Sequence, residues 1–150
     1  MPTQPPTPPS TADNVANFVR AQFGALEKKA GAPQGRPMAV DFDGVVHAYT
    51  KGWTDGTIYD PPVAGAFAGL AMLMSANMVH ICSTREPEQI LEWMAKNAPE
   101  IACEIVPAEE WQWTKRGVLG ITNRRLTCAV CIDDRGIRFT NWPDITNLLA

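Results

Sequence analysis

The chain of 150 residues is long enough to bury the core of one domain and too short for two sizeable ones. Its formal net charge is −3 and its 13 lysines and arginines are dispersed, so it lacks the basic stripe typical of proteins that bind nucleic-acid phosphates. The sequence has no apolar run of membrane-spanning length and no secretory signal pattern, and its four cysteines lie in apolar, strand-like surroundings, which together favour a cytoplasmic location.

The N-terminal part divides into a tail and a helix. Residues 1–10 contain five of the 13 prolines and almost no apolar side chain, which predicts a disordered tail. Apolar side chains then recur at helical spacing and are followed by Gly31, which predicts a helix and linker over residues 11–37. We expect this helix to pack on a main domain formed by residues 38–150.

From Met38 onward, short apolar runs alternate with amphipathic stretches, which is typical of a parallel β-sheet connected by helices. Helices are predicted from Pro62 to Met74 and from Glu86 to Asn97. The segment 44–60, with three glycines and two tyrosines, is predicted to be a loop or hairpin. The predicted strands are residues 38–42, 78–83, 101–106 and 128–132.

The first candidate motif is Asp41-Phe42-Asp43-Gly44, directly after the first strand. Functional groups of open parallel sheets lie at the carboxyl ends of strands. Two carboxylates two positions apart can converge on one phosphate only if the chain leaves strand geometry, and Gly44 permits that turn and is a candidate substrate contact. Asp41 is then a candidate nucleophile and metal ligand, and Asp43 a candidate general acid and base. The alternative is an ordinary acidic surface turn.

The second candidate motif is Ser83-Thr84-Arg85, at the end of another apolar run and just before a predicted helix. A hydroxyl and backbone N–H groups at a helix N-terminus form a natural phosphate site, so Ser83 and Thr84 are candidate phosphate ligands. Arg85 can make a bidentate contact with the substrate. The alternative is that Ser83 or Thr84 caps the helix and Arg85 is a surface charge.

The third candidate motif is Asp133-Asp134-Arg135, after the last predicted strand. Two adjacent acids at a strand end are costly to hold together unless a cation neutralises them, which predicts a divalent metal shared with Asp41. Hard oxygen ligands favour Mg²⁺. The alternative is a solvated acidic turn, with Arg135 as a structural partner of one of the acids.

Three motifs in this order at three strand ends are hard to obtain by chance. Over roughly residues 38–142, the pattern DFDGV, STR and IDDRGIRF resembles phosphatases of the haloacid dehalogenase superfamily, especially small bacterial and phage members and, more distantly, the phosphatase domain of phage polynucleotide kinase. The resemblance implies a Rossmann-like three-layer sandwich around a parallel sheet, and hydrolysis through an aspartyl-phosphate intermediate. It also implies Mg²⁺ held by Asp41, the backbone carbonyl of Asp43, and Asp133 or Asp134.

One position departs from the family pattern. The family places a lysine before the last strand to neutralise the nucleophile and the phosphoryl group. Counting back from Ile132 places Arg125 there, and an arginine supplies the charge with a different geometry. Lys115 is the alternative, and the choice between the two stays open at this stage.

Several other residues are weaker candidates for a functional role. Cys128 and Cys131 have the spacing of a zinc knuckle, but the sequence has no second pair, and residues three apart in a strand face opposite sides, which favours buried thiols. His47 follows the first motif and can touch a substrate, whereas His80 is predicted to be a packed core histidine. Trp53 can stack on a base or anchor a loop.

The resemblance also bears on the substrate. Family members often carry a cap domain, but only 39 residues run from Gly44 to Cys82, and these must also form a helix and a strand. We therefore expect a capless enzyme with at most a hairpin flap, or one that borrows a lid from a second copy in a homo-oligomer. By analogy, the substrate is a nucleotide or a polynucleotide 3′ phosphate. The alternatives are a binding or regulatory module with little or no turnover, and a subunit docked through its N-terminal helix.

Overall fold

Residues 35–150 are the part of the chain that the computed structural model describes. The predicted tail of residues 1–10 and almost all of the predicted helix and linker over residues 11–37 lie outside the described residues. None of the described helices is long and apolar enough to cross a membrane.

Five short strands form one sheet in the order β3-β4-β2-β1-β5, and every neighbouring pair is parallel. The predicted α/β class with a parallel sheet is thereby confirmed. Because β1 lies between β2 and β5, the strands that precede the three motifs are neighbours. The strands are β1 (Pro37–Val40), β2 (Met78–Cys82), β3 (Cys103–Ile105), β4 (Leu119–Thr122) and β5 (Val130–Ile132).

Three helices accompany the sheet, namely α1 (Ala66–Ala76), α2 (Pro87–Asn97) and α3 (Trp142–Leu149). Helix α1 packs against β2, and α2 packs against β3 and β4. Helix α2 begins with its proline in the first turn, as predicted. Helix α1 begins later than the predicted Pro62, because Pro62 forms a β-bridge with His47 and the N–H of Val63 donates to the carbonyl of Val46 at 2.8 Å.

Strand β4 and helix α3 were not predicted from the sequence. Strand β4 is fully buried between β2 and β3, and its sequence signal is a short apolar run bounded by Gly117 and Asn123. Helix α3 is capped by Asn141, whose side chain accepts the N–H of Asp144, and its second residue is a proline. Both are short, and a short apolar run is the weakest kind of strand signal.

The core lies along the inner strands and continues beneath the first motif. Phe42 is fully buried, and its ring meets Trp93 of α2 edge to face, with ring centroids 5.2 Å apart. A second cluster of Val106, Trp113 and Leu126 anchors the loop between β4 and β5. The two turns that follow β1 and β4 are therefore fixed by buried side chains. Buried apolar residues of the inner strands include Met38, Val40, Val79, Ile81, Leu119 and Ile121.

Candidate active site

The first motif leaves the sheet directly after β1. The N–H of Asp41 donates to the carbonyl of Ile132 at 2.8 Å, which ties it to the end of β5. One carboxylate oxygen of Asp41 accepts the N–H of Phe42 at 2.8 Å. The chain then turns, because the carbonyl of Phe42 accepts the N–H groups of Val46 and His47, each at 2.9 Å. Asp41 is thus held, half-buried, at the carboxyl edge of the sheet.

Gly44 allows the third motif to approach the first. Its φ is +86°, a left-handed conformation that glycine adopts without strain. A Cβ atom at this position would lie 2.3 Å from Oδ2 of Asp134, so a side chain here would also displace that carboxylate. Both the left-handed turn and the close approach of Asp134 therefore favour glycine at this position.

Asp41, Asp133 and Asp134 form an acidic cluster in which one ligand atom from each lies within 4.8 Å of the others. Oδ1 of Asp133 is oriented by the N–H groups of Arg135 and Gly136, at 2.7 and 3.2 Å. Burial raises the pKa of Asp41 above its ordinary value, and the charges of Asp133, Asp134 and Asp43 raise it further, while the N–H of Phe42 opposes the shift. Three hard oxygen donors that repel one another suit a divalent cation such as Mg²⁺.

Asp43 is held by two buried side chains. Nδ1 of His47 lies 2.8 Å from Oδ1 of Asp43, and Nε of Arg85 donates to the two carboxylate oxygens at 3.1 and 2.8 Å. The N–H of Asp60 donates to Nε2 of His47 at 2.9 Å. Because Nε2 accepts, the proton of the neutral ring is on Nδ1 and is donated to Asp43. The sequence offered His47 only as a weak candidate for a substrate contact, and its contact with Asp43 was not predicted.

Arg85 lies inside the protein, only 2% exposed. Besides binding Asp43, it donates from Nη1 to the carbonyl of Gly56 at 2.6 Å. Its guanidinium carbon also lies 5.2 Å from the ring centroid of Trp53 and 5.9 Å from that of Tyr49. These contacts orient Asp43 and hold the segment above it. The substrate contact expected of Arg85 stays a prediction.

Residues 48–60 form a flap, closed by hydrogen bonds at its base. Oδ2 of Asp60 accepts the N–H and the hydroxyl of Thr50 at 2.6 and 2.7 Å. The hydroxyl of Tyr59 donates to the carbonyl of Gly52 at 2.8 Å. Trp53 projects from the flap and is 63% exposed. Between β1 and β2, the structure therefore contains this flap and α1.

Ser83 lies at the end of β2, beside the first motif. Its N–H donates to the carbonyl of Thr122 at 3.1 Å, and its hydroxyl oxygen accepts the N–H of Arg85 at 3.3 Å. Neither Ser83 nor Thr84 caps α2, because the N-cap residue is Glu86. The alternative in which they are ordinary helix caps is therefore wrong. Thr84 is exposed on the same turn.

The structure distinguishes the two candidates for the family's lysine. Arg125 lines a small pocket of about 70 Å³ together with Asp41 and Asp133. Lys115 instead pairs with Glu104 of β3, the edge strand opposite β5, with 2.5 Å between Nζ and Oε1. The preceding Arg124 donates to the carbonyls of Pro107 and Glu110 and so anchors the loop that carries Arg125. Of the two candidates, Arg125 is therefore the one that shares a pocket with Asp41.

His80 of β2 also lines this pocket and is fully buried. Neither ring nitrogen has a hydrogen-bond partner among residues 35–150. Burial lowers the pKa of His80 to about 4. Its place in the sheet agrees with the core role predicted from the sequence.

We expect His80 to make the protein sensitive to acid. An unfolded histidine binds a proton below about pH 6.5, whereas folded His80 resists protonation until about pH 4, so the stability of the folded state falls as the pH falls through this window. His80→Leu removes the proton-binding site at similar volume. The melting temperature of this variant should fall less than that of the wild type between about pH 7 and pH 5. Since the chain has only two histidines, parallel curves for the two proteins would contradict this role.

Compared with known proteins, the chain matches no protein-family model, no curated protein and no solved structure.

Proposed function

We propose that this chain is a Mg²⁺-dependent phosphomonoester hydrolase of the haloacid dehalogenase type. The observation that carries the proposal is the meeting of three motifs at one edge of the sheet. Asp41 lies in the acidic cluster with the residues that follow β5, Ser83 follows the neighbouring β2, and Arg125 lines the same pocket as Asp41. This arrangement combines a carboxylate nucleophile, a cation site, a phosphate-binding turn and a positive charge.

In the proposed reaction, a carboxylate oxygen of Asp41 attacks phosphorus and forms an aspartyl phosphate. The leaving oxygen takes a proton from Asp43. Asp43 then accepts a proton from a water molecule. This water attacks the phosphorus of the aspartyl phosphate, breaks its bond to Asp41 and so releases inorganic phosphate. His47 and Arg85 keep the carboxyl group of Asp43 in one orientation through both steps. Ser83 and the N–H groups of its turn hold the phosphoryl oxygens.

The acidic cluster fits the metal that this chemistry requires. Asp41, Asp133 and Asp134 would hold Mg²⁺, with the backbone carbonyl of Asp43 as the further ligand that the family resemblance implies. A bound Mg²⁺ offsets the repulsion between an anionic nucleophile and an anionic phosphate. Burial raises the pKa of Asp41, and the charges of Asp133 and Asp134 raise it further, so the proximity of these three carboxylates supports the ligand set.

We expect the two acids of the third motif to control the metal requirement. Asp133→Asn and Asp134→Asn each remove a negative charge from the cluster, so a higher Mg²⁺ concentration should be needed for half-maximal activity, or activity should be lost. The same variants should show a smaller rise in melting temperature when Mg²⁺ is added, and this second readout requires no turnover.

The matched control for these variants is Glu100→Gln, which removes an exposed carboxylate between α2 and β3. It should leave both the metal requirement and the thermal shift as in the wild type. If both aspartate variants also behave like the wild type, the proposed ligand set is wrong.

A nucleotide or a polynucleotide 3′ phosphate is the proposed substrate class. One face of the exposed Trp53 lies against the Arg85 guanidinium, and Tyr49 lies between Arg85 and Arg135, whose guanidinium carbon is 5.6 Å from the Tyr49 ring centroid. An exposed ring such as that of Trp53 stacks on bases, and an exposed arginine such as Arg135 attracts a phosphate backbone. The described residues between β1 and β2 form the flap and α1 and leave no room for a cap domain that would exclude the end of a polymer.

A phosphatase screen with Mg²⁺ across nucleotides, sugar phosphates and 3′-phosphorylated oligonucleotides tests the proposal. We expect the highest kcat/KM among the nucleotides or oligonucleotides. Trp53→Ala should raise KM for these substrates and leave KM for glycerol phosphate unchanged, while Trp142→Ala, which removes an exposed indole from α3, should change neither. An equal change in KM for nucleotide substrates and for glycerol phosphate would contradict a base-stacking role of Trp53.

The second candidate function is a binding or regulatory module of the same fold with little or no turnover. The observation that favours it is the arginine at the position where the family has a lysine, since a guanidinium and an ammonium group do not present their charge in the same geometry. Absence of turnover on every phosphomonoester, with Mg²⁺ or phosphate still bound, would support this candidate over the enzyme.

A further inference from the structure

Cys128 and Cys131 lie against each other beside the candidate active site. Their sulfur atoms are 3.2 Å apart. The sequence suggested that residues three apart in a strand would face opposite sides, and this expectation is wrong for the pair. Strand β5 begins at Val130, so Cys128 belongs to the preceding loop, and the chain is not extended across the whole pair.

Both cysteines line the pocket that contains Asp41 and Arg125. Cys128 is in the loop between β4 and β5 that also carries Arg125, whereas Cys131 is in β5, opposite Ala39 of β1. Cys131 is exposed and Cys128 is partly buried. A bond between them would therefore join the loop that carries the positive charge to the strand that leads into the acidic cluster.

We propose that Cys128 and Cys131 form a reversible disulfide at the wall of this pocket when the chain meets a small-molecule disulfide such as oxidised glutathione. A disulfide bond is about 2.05 Å long, so the two sulfur atoms need to approach by only about 1 Å. The two cysteines are separated by two residues, which is the Cys-X-X-Cys spacing of many redox-active pairs.

The thiol–disulfide exchange takes place in two steps. The thiolate of Cys131, the sulfur that solvent reaches, attacks one sulfur of the oxidant, forms a mixed disulfide and releases one thiolate. The thiolate of Cys128 then attacks the Cys131 sulfur, forms the protein disulfide and releases the second thiolate. The two protons lost by the cysteines end on the two released thiols. The protein is oxidised by two electrons, and the small disulfide is reduced by two.

Burial makes Cys128 the less reactive thiol of the pair. Burial raises the pKa of Cys128 to about 11, and the contact with Cys131 adds to the shift, while the Arg125 guanidinium opposes it. Cys128 therefore stays a thiol while the exposed Cys131 reacts first with the oxidant. The Arg125 guanidinium is thus close enough to Cys128 to influence its thiol.

Formation of the disulfide would also affect the candidate active site, because Cys128 and Arg125 lie in the same loop between β4 and β5. Closing the disulfide pulls Cys128 toward β5 and displaces the segment that holds Arg125. A displacement of about 1 Å of a group that stabilises a transition state can lower the rate by on the order of 10²-fold. This consequence rests on the proposed phosphatase activity, whereas formation of the disulfide does not.

The test treats the reduced full chain with oxidised glutathione and maps its disulfides by alkylation and mass spectrometry. We expect a mass loss of two hydrogens, a link between Cys128 and Cys131, and free thiols at Cys82 and Cys103, with full recovery on addition of dithiothreitol. Cys128→Ser should stop at the mixed disulfide and gain one glutathione. Cys103→Ser is the matched control, because Cys103 lies in β3, at the opposite edge of the sheet from Cys131, and it should form the disulfide as the wild type does.

Absence of an internal disulfide, or a link that involves Cys82 instead of Cys128, would overturn the assignment of the pair. In the activity measurement, oxidation of the wild type should lower kcat by on the order of tenfold to 10²-fold, and reduction should restore it. The kcat of the double variant with both Cys128→Ser and Cys131→Ser should not change on addition of the oxidant. An unchanged kcat in the mapped disulfide form would overturn the link to Arg125. If no form of the chain hydrolyses any phosphomonoester, the proposed function fails, and the mapping still decides the disulfide.

Discussion

Asp41→Asn is expected to abolish turnover and leave the fold intact. The amide has the shape of the carboxylate but cannot attack phosphorus, so kcat should fall by on the order of 10⁴-fold or more, as happens when the nucleophile of another covalent hydrolase is removed. The measurement is the steady-state rate of phosphate release with saturating Mg²⁺. Circular dichroism should show unchanged secondary structure, because the contacts of this residue with Ile132 involve its backbone.

The control is Asp144→Asn, which changes an exposed aspartate of α3 and should retain the wild-type rate. A near-normal rate in Asp41→Asn would remove Asp41 as the nucleophile. Loss of activity in both variants would indicate general damage.

The same variant has a second expected effect, on stability without metal. Because the pKa of Asp41 is raised in the folded state, the unfolded chain loses this proton at a lower pH than the folded chain, and stability falls as the pH rises through that window. At neutral pH in a chelating buffer, Asp41→Asn should therefore melt at a higher temperature than the wild type. Adding Mg²⁺ should stabilise the wild type more than the variant. A lower melting temperature for the variant would contradict the charge repulsion inferred for the cluster.

Arg125→Ala is expected to produce the second largest loss of activity. Charge accumulates on the equatorial oxygens of a phosphoryl group in its transition state, and a fixed cation beside the nucleophile stabilises that charge. Removing such a contact typically costs on the order of 10²-fold or more in kcat. Arg125 shares a pocket with Asp41, so its removal should depress kcat while the melting temperature stays close to that of the wild type.

The matched control is Lys115→Ala. Lys115 pairs with Glu104 at the outer edge of the sheet, and an exposed ion pair contributes little to stability, so this variant should keep the wild-type kcat. Arg125→Lys keeps the positive charge and introduces the lysine typical of haloacid dehalogenase phosphatases, so it should recover activity relative to Arg125→Ala. A larger loss from Lys115→Ala than from Arg125→Ala would transfer the role to Lys115.

Local sequence patterns were sufficient for the elements that carry the site. The strands before Asp41 and Ser83 are buried in a parallel sheet and are therefore short apolar runs, and the helix after Arg85 has its proline in the first turn, where no N–H donor is needed. The motifs themselves were visible because each combines a strand end with residues that are unusual there. A short run with a glycine inside it, as in β4, has no comparable signal, and this strand was missed.

The assembly of the site depended on tertiary structure. The sequence left Arg125 and Lys115 as alternatives, because their places depend on which strand lies beside β1, and strand order is a matter of long-range pairing. It could not show that Arg85 would bind Asp43 across 42 positions or that Cys128 and Cys131 would touch.

The sequence by itself therefore determined the fold class, the three motifs and their order along the chain, since these follow from local periodicity and residue type. Only the tertiary structure decided which side chains meet. It placed β1 between β2 and β5, gathered three acids into one cluster, and gave His47 its proton arrangement through the N–H of Asp60. The physical reason is that such contacts join residues far apart in the chain, and their geometry is set by packing of the whole sheet.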